Sequence, residues 1–138
     1  MLMQHYKILE KYLLSSGGLD KNSFVFEIGS NIGLFLKFIK PKVGRVLGID
    51  PAKNICKIAN NSGLETICDF FNVESALKIK KNGSPDLILA RHCFAHNKNP
   101  HSLMQGLKQL LSDNGLAIIE NAYIQHTIEN NEFDQIYH

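Results

Sequence analysis

Short apolar runs alternate with helical patterns along most of the chain, and this alternation constrains the fold more than any other feature. Runs rich in strand-forming residues lie at 24–28, 45–49, 64–67, 86–90 and 116–119. Segments with helical spacing lie at 1–16, 33–39, 52–60, 73–81 and 103–111. Strands that alternate with helices form βαβ units around a parallel sheet. We therefore predict an α/β fold, a three-layer sandwich with five strands and right-handed crossovers.

The composition is that of one globular domain, and we take residues 1–138 as a single unit. Hydrophobic residues make up 44% and charged residues 20% of the chain, which excludes disordered and low-complexity classes. A net charge of +2 is too small to indicate binding to nucleic acid, and we expect no such partner. The chain has no signal-peptide pattern at its start and no apolar run near the roughly 18 residues of a membrane span. We expect a cytoplasmic protein with no membrane partner.

The cysteines and histidines do not have the spacing of a metal site. The three cysteines are scattered without a CxxC pair, at Cys56, Cys68 and Cys93. We expect reduced thiols that bind no zinc. Three histidines, His92, His96 and His101, fall close together, but no Asp or Glu lies among them and the segment is a predicted loop. We expect this loop to face the substrate, without a carboxylate to orient its histidines.

A glycine loop follows the first predicted strand. Gly29 and Gly33 have GxxxG spacing, which differs from the GxGxxG of dinucleotide binders, and the acidic Glu27 precedes them. Glycine lets a backbone turn sharply and approach a ligand, and the helix that follows offers free N–H groups to an anion. This pattern predicts a ligand-binding loop, although an ordinary strand-to-helix turn has the same glycines.

Acidic and aromatic residues follow the next two predicted strands. Asp50 ends the second strand, where a carboxylate can accept the hydroxyl hydrogens of a ribose; alternatively it caps the helix that Pro51 opens. Asp69, Phe70 and Phe71 follow the third strand, where an aromatic ring can line an adenine pocket or simply fill the core. Taken together, the strand ends predict a site for a nucleoside.

These strand ends carry a resemblance to a known family. Glu27-x-Gly29-Ser-Asn-x-Gly33, followed by Gly48-Ile-Asp50-Pro51-Ala52, resembles class I methyltransferases that use S-adenosylmethionine. Four further segments look like the C-methyltransferase family of deoxysugar biosynthesis: Ala90 to His96, Asn99 to His101, Ile119 to Asn121 and Phe133 to His138. The resemblance covers roughly residues 20–138. It implies a Rossmann-like fold and methylation of a carbon beside the ketone of a nucleotide-linked keto-deoxysugar.

The resemblance also implies a role for each site residue. Its cofactor-binding positions are Glu27, Gly29, Ser30, Asn31, Gly33, Asp50, Pro51, Asp69, Phe70, Phe71, Arg91 and His92. Arg91 and His92 would form the floor of the cofactor pocket. The family usually has Asp at Ile32, so this chain lacks one carboxylate near the amine of the cofactor.

For catalysis, the resemblance implies Tyr137 and His138, and it places the expected base, a histidine, two residues beyond His138. We expect the 138-residue chain to lack the last strands of the methyltransferase fold and not to methylate a sugar alone. Because one edge of its sheet would be exposed, we also expect it to dimerise through that edge or to be only modestly soluble. Two alternatives stay open. One is a non-catalytic fragment or relic that binds cofactor weakly or not at all. The other is an NAD-type dehydrogenase, against which the absent GxGxxG argues.

Overall fold

The computed structural model of the protein describes residues 2–122 and 124–129. Helices and strands alternate after a first helix, as the sequence predicts. In chain order the elements are α1 (Leu2–Ser15), β1 (Phe24–Ile28), α2 (Leu34–Ile39), β2 (Arg45–Asp50), α3 (Lys53–Asn61), β3 (Thr66–Cys68), α4 (Val73–Lys80), β4 (Leu87–Arg91), α5 (Pro100–Leu110), β5 (Leu116–Glu120) and α6 (Ile124–Glu129). Short 3-10 turns occur at Lys40–Lys42 and Phe94–His96.

The five strands form one sheet in the order β3-β2-β1-β4-β5, and every neighbouring pair is parallel. The predicted α/β architecture is therefore confirmed. Strand β1 lies in the middle and is buried along its whole length, which agrees with the apolar residues at four of its five positions; the fifth is Glu27. All strands run the same way, so their carboxyl ends meet at one edge of the sheet.

Two apolar clusters cover the two faces of the sheet and make it a three-layer structure. Helices α1, α2 and α3 pack on one face, with Tyr6, Phe35 and Ala59 in the buried cluster. Helices α4 and α5 pack on the other face, with Ile79 and Leu103 in the second cluster. The chain changes face after β3, when it crosses to β4 beside β1. In open α/β sheets, ligands bind at the carboxyl edge where the strand order reverses in this way.

Some element boundaries differ from the predicted ones, for local reasons. Strand β3 begins at Thr66 instead of residue 64, because Leu64 packs into the core beneath α3 and the sheet pairing starts opposite Gly48. Helix α5 begins at Pro100, three positions before the predicted start. The Asn99 side chain accepts a hydrogen bond from the Ser102 N–H (3.0 Å), and this cap starts the helix early.

Gly33, which precedes α2, offers a test of how tightly the loop after β1 is packed. Gly33 and Gly63 both have left-handed backbones, with φ of 72° and 81°. A Cβ on Gly33 would overlap the buried Leu64 side chain, whereas a Cβ on Gly63 would meet nothing within 4 Å.

We expect Gly63→Ala to lower the free energy of unfolding by about 1–2 kcal/mol, the cost of a left-handed non-glycine residue. Gly33→Ala should cost a further 1–3 kcal/mol or so, because Leu64 must move in a packed core. Urea denaturation of both variants measures the difference. Equal losses of stability would contradict the packing described for Gly33.

Candidate functional site

The loop after β1 folds back tightly over the end of β2. The N–H groups of Gly29 and Ser30 both donate to the Ile49 carbonyl, at 2.9 and 3.1 Å. Gly29 has φ of 64°, and a Cβ there would lie 2.9 Å from the Cβ of Cys93. Glycine is thus required at this position both by conformation and by space. The backbone of this loop borders the carboxyl edge closely, as the glycine spacing predicts.

The Asp50 carboxylate joins the loop after β1 to the turn after β2. Oδ2 accepts a hydrogen bond from the Asn31 N–H (3.0 Å), and Oδ1 accepts one from the Ala52 N–H (2.9 Å). The alternative expectation, that Asp50 caps a helix opened by Pro51, is wrong as stated, because α3 begins at Lys53 with Ala52 at its N-cap position. Asp50 instead bonds to the Ala52 N–H in the turn before the helix. Each carboxylate oxygen has two acceptor sites, so Asp50 retains acceptor capacity for a ligand hydroxyl.

A buried ion pair lies beneath the carboxyl edge, between β1 and β4. Arg91 donates from Nε (2.9 Å) and Nη2 (2.5 Å) to Oε1 of Glu27. The guanidinium lies 5.2 Å from the ring centre of Tyr6 and 4.7 Å from that of Phe35. These contacts put the pair on the α1 and α2 face of the sheet. Arg91 is predicted to form the floor of the cofactor pocket, and this stays a prediction; in the structure its guanidinium pairs with Glu27.

Burial governs the protonation of Glu27, which is 2% exposed. Burial raises the pKa of Glu27 from 4.5 to about 7, and the charge and hydrogen bonds of Arg91 offset only part of this effect. Oε2 of Glu27 is buried, and no group in the described part of the chain bonds to it. A buried carboxylate oxygen without a partner is costly, so the site is suited to a cationic ligand group or a water molecule.

A cavity of about 570 Å³ opens on the other face of the sheet, at the ends of β1 and β2. Five predicted site residues line it: Gly29, Pro51, Asp69, Phe70 and Phe71. Phe70 is 69% exposed at the rim, whereas Phe71 is 6% exposed and packs 5.6 Å from the Phe26 ring. The sequence left open whether these rings line a pocket or fill the core. Phe70 is open to a ligand, whereas Phe71 is part of the core.

The loop after β4 supplies a wall of the cavity that the predicted cofactor residues do not include. This wall consists of Cys93, the segment 96–99, and Ser102 and Leu103 of α5. The sequence predicts a substrate-facing loop here, and two of the segments that carry the resemblance, Ala90 to His96 and Asn99 to His101, include Cys93, His96 and Asn99 of this wall. Ser30, although predicted as a site residue, buries its side chain against Gly48 and offers the site only its backbone.

The expectation that no carboxylate orients the loop histidines is wrong for His92. Nε2 of His92 lies 3.0 Å from Oε1 of Glu120, at the end of β5. Strand β5 pairs with β4, and this pairing brings Glu120 beside a residue 28 positions away. Tyr137 and His138, predicted as catalytic, lie outside the described residues, and their roles stay predictions.

Thiols and metal ligands are dispersed in the described ranges. Cys56, Cys68 and Cys93 are free thiols. Across residues 2–122 and 124–129, no group of three His, Cys, Asp or Glu side chains is placed to hold a metal ion. No helix in the same ranges combines the length and apolarity needed to cross a bilayer.

Comparisons with known proteins agree with this architecture. The C-methyltransferase NovU of Streptomyces niveus is 36% identical over 138 residues, which cover 99% of this chain and 33% of that protein. The plantazolicin methyltransferase BpumL, solved in complex with SAH, superposes with a TM-score of 0.71 at 20% identity, over 99% of this chain and 52% of that one. The YcgJ protein of Bacillus subtilis gives 0.69 at 14% identity, over 87% of this chain and 51% of that one. The solved structures show the shared fold.

The chain thus spans about a third of the curated relative and about half of these solved chains. A family profile described as a methyltransferase domain matches residues 3–137, which is nearly the full length given. The chain belongs to this methyltransferase domain family.

Proposed function

We propose that this chain is the cofactor-binding core of an S-adenosylmethionine-dependent methyltransferase. The proposal is supported by the arrangement of residues at the carboxyl edge of the sheet. There the glycine loop is tied to Asp50, and the cavity with Phe70 at its rim opens beside them. A volume of about 570 Å³ is within the range of small-molecule sites, about 300–1,000 Å³.

The residues present fit this cofactor in charge and in shape. Glu27 offers a buried carboxylate oxygen without a partner, which suits the ammonium group of the methionine moiety. Gly29 brings the backbone of the loop to the wall of the cavity, and Asp50 has acceptor capacity for ribose hydroxyls. When bound, S-adenosylmethionine supplies a methyl group on a positively charged sulfur. The protein's part is to hold the ligand at the strand ends and to exclude water with the loop after β4.

For the acceptor, we propose a nucleotide-linked keto-deoxysugar or a similar small molecule, methylated on carbon. The sequence motifs resemble that family, and the relative NovU is named a C-methyltransferase. Methylation at such a carbon requires removal of a proton beside the ketone, so the site must contain a base within hydrogen-bond reach of that carbon.

Two other functions make different binding predictions. A non-catalytic relic would bind cofactor weakly or not at all. An NAD-type dehydrogenase would bind the dinucleotide, but the loop from Gly29 to Gly33 lacks the middle glycine that lets the backbone approach a pyrophosphate.

Calorimetric titration of the purified protein with S-adenosylmethionine, SAH and NAD separates these functions. We expect the first two ligands to bind and NAD not to bind. Binding of NAD alone would contradict the proposed function, and binding of none of the three would favour the relic.

Asp50 can be tested with a matched control. Asp50→Asn keeps the shape but removes a charged acceptor, and we expect SAH to bind about 5 to 150 times more weakly, equivalent to about 1–3 kcal/mol. Asp20 also accepts a backbone hydrogen bond, from the Asn22 N–H at 2.8 Å, in the turn before β1. Asp20→Asn should leave the affinity for SAH unchanged. Equal affinities of the Asp50 variant and the unaltered protein would contradict the assignment.

The pKa of Glu27, raised to about 7 by burial, predicts a pH dependence of binding. Below pH 7 the carboxyl is mostly protonated, and above pH 7 it is an anion that attracts the ammonium group of the ligand. We expect the affinity ratio of the unaltered protein to Glu27→Gln to rise between pH 6 and pH 7.5. The ratio cancels any titration of the ligand itself, and a ratio independent of pH would contradict this role for Glu27.

Unfolding in urea tests the same pKa without ligand. Because the folded state holds the Glu27 proton more tightly than the unfolded state, its stabilising contribution is complete below pH 4.5 and is lost as the pH rises through 7. Glu27→Gln should remove this decline. If the variant declines like the unaltered protein, the pKa of Glu27 is not raised.

A further inference from the structure

Glu27 has an oxygen open to a ligand only because its buried partner bonds to the other oxygen. Nε and Nη2 of Arg91 both donate to Oε1, at 2.9 and 2.5 Å. Oε2 is buried and receives no hydrogen bond within the described ranges. Arginine and carboxylate groups commonly pair through two parallel bonds, one to each oxygen. The pairing found here differs from that pattern, so the position of the guanidinium must be set by its surroundings.

Two aromatic rings enclose the guanidinium on the α1 and α2 face of the sheet. The ring centres of Phe35 and Tyr6 lie 4.7 and 5.2 Å from its central carbon. The two rings also contact each other edge to face, with centres 5.2 Å apart and planes at 74°. A cation is attracted to ring faces at such distances, and more strongly where water is excluded. The Arg91 side chain is 13% exposed, so the rings restrict where its N–H groups can point.

Tyr6 is the member of this enclosure that lies far from the glycine loop in the sequence. It belongs to α1 and is 5% exposed, whereas Phe35 directly follows the loop. Burial opposes the charge of Arg91, but Glu27 and, to a smaller extent, Tyr6 raise the pKa of Arg91 above its ordinary value. Tyr6 therefore acts on the guanidinium through its hydroxyl as well as through its ring.

The enclosure works against the pairing that the carboxylate would otherwise favour. A buried carboxylate oxygen without a partner is costly, so an arginine that was free to turn would bond to both oxygens of Glu27. Oε2 would then no longer be open to a ligand. A contact that prevents this turn keeps the carboxylate ready for a cation before the ligand arrives, which lowers the cost of binding.

We propose that Tyr6 is a positioning residue of the cofactor site, whose ring holds Arg91 on Oε1 of Glu27 and so reserves Oε2 for the ammonium group of the ligand; this rests on the proposed function. Tyr6 acts through Arg91 and Glu27. Its contribution to binding is therefore confined to the part of the ligand that carries the ammonium group.

Two ligands separate this role from a general contribution to the fold. SAH contains the ammonium group, whereas methylthioadenosine has the nucleoside and the sulfur but no amino acid group. In calorimetric titration we expect Tyr6→Leu to weaken SAH by about 10-fold or more and methylthioadenosine by less than about twofold. Tyr6→Phe keeps the ring and should keep the affinity for SAH within about threefold. Tyr12 lies on the same helix and is 51% exposed, so the control Tyr12→Leu should change neither affinity.

A double variant tests whether the effect passes through Glu27. In a Glu27→Gln background, Tyr6→Leu should weaken SAH by less than about twofold further, because the carboxylate that Tyr6 serves is already lost. Equal weakening of both ligands in a Tyr6→Leu protein that is folded by circular dichroism would overturn the proposal. So would an undiminished effect of Tyr6→Leu in the Glu27→Gln background.

The pairing itself can be observed without a ligand. In a crystal structure of the unaltered protein, both donors of Arg91 should bond to Oε1 of Glu27, and in Tyr6→Leu one of them should bond to Oε2. A bond to Oε2 in the unaltered protein would overturn the proposal even if the variant did not fold, and an unchanged pairing in a folded variant would also overturn it. Failure of the unaltered protein to bind SAH would instead contradict the proposed function and leave the observation of the pairing valid.

Discussion

The buried ion pair between Glu27 and Arg91 is the interaction on which the rest of the site depends. It joins β1 and β4 at the point where the strand order reverses. Either charge alone would be costly to bury there, and the pairing offsets part of that cost. The guanidinium in turn positions the rings of Tyr6 and Phe35, and so connects α1 and α2 to the end of the sheet. Removing one partner would leave the other charge buried and unpaired, so the pair is required as a unit.

The carboxyl edge offers two kinds of chemistry in two places. The cavity on the α4 and α5 face offers apolar walls and aromatic rims, which suit a nucleoside. The ion pair on the opposite face offers one unpartnered anionic oxygen, which suits a cation. Parallel strands bring these places together, because all their carboxyl ends meet at one edge.

The fold and the backbone of the site could be predicted from the sequence, because both are local properties. Apolar runs identify strands, and the glycines and Asp50 identify the turns after β1 and β2. The contacts of His92 and Arg91 could not be predicted, because they depend on tertiary pairing. Glu120 reaches His92 only because β5 lies beside β4, and Tyr6 reaches Arg91 only because α1 packs against the centre of the sheet. No periodic pattern in the sequence predicts the contact between Glu120 and His92 or the one between Tyr6 and Arg91.

The position of β1 in the middle of the sheet has a consequence for how the chain is made. Glu27 and Arg91 are 64 positions apart, so the ribosome completes β1, β2 and β3 well before the partner of Glu27 emerges. Until β4 is released, one side of β1 has no strand to pair with, and Glu27 faces water or takes up a proton. One edge of the central strand β1 therefore stays unpaired while about half of the sequence is translated. During this interval a chaperone, or a strand that does not belong there, could bind the exposed edge.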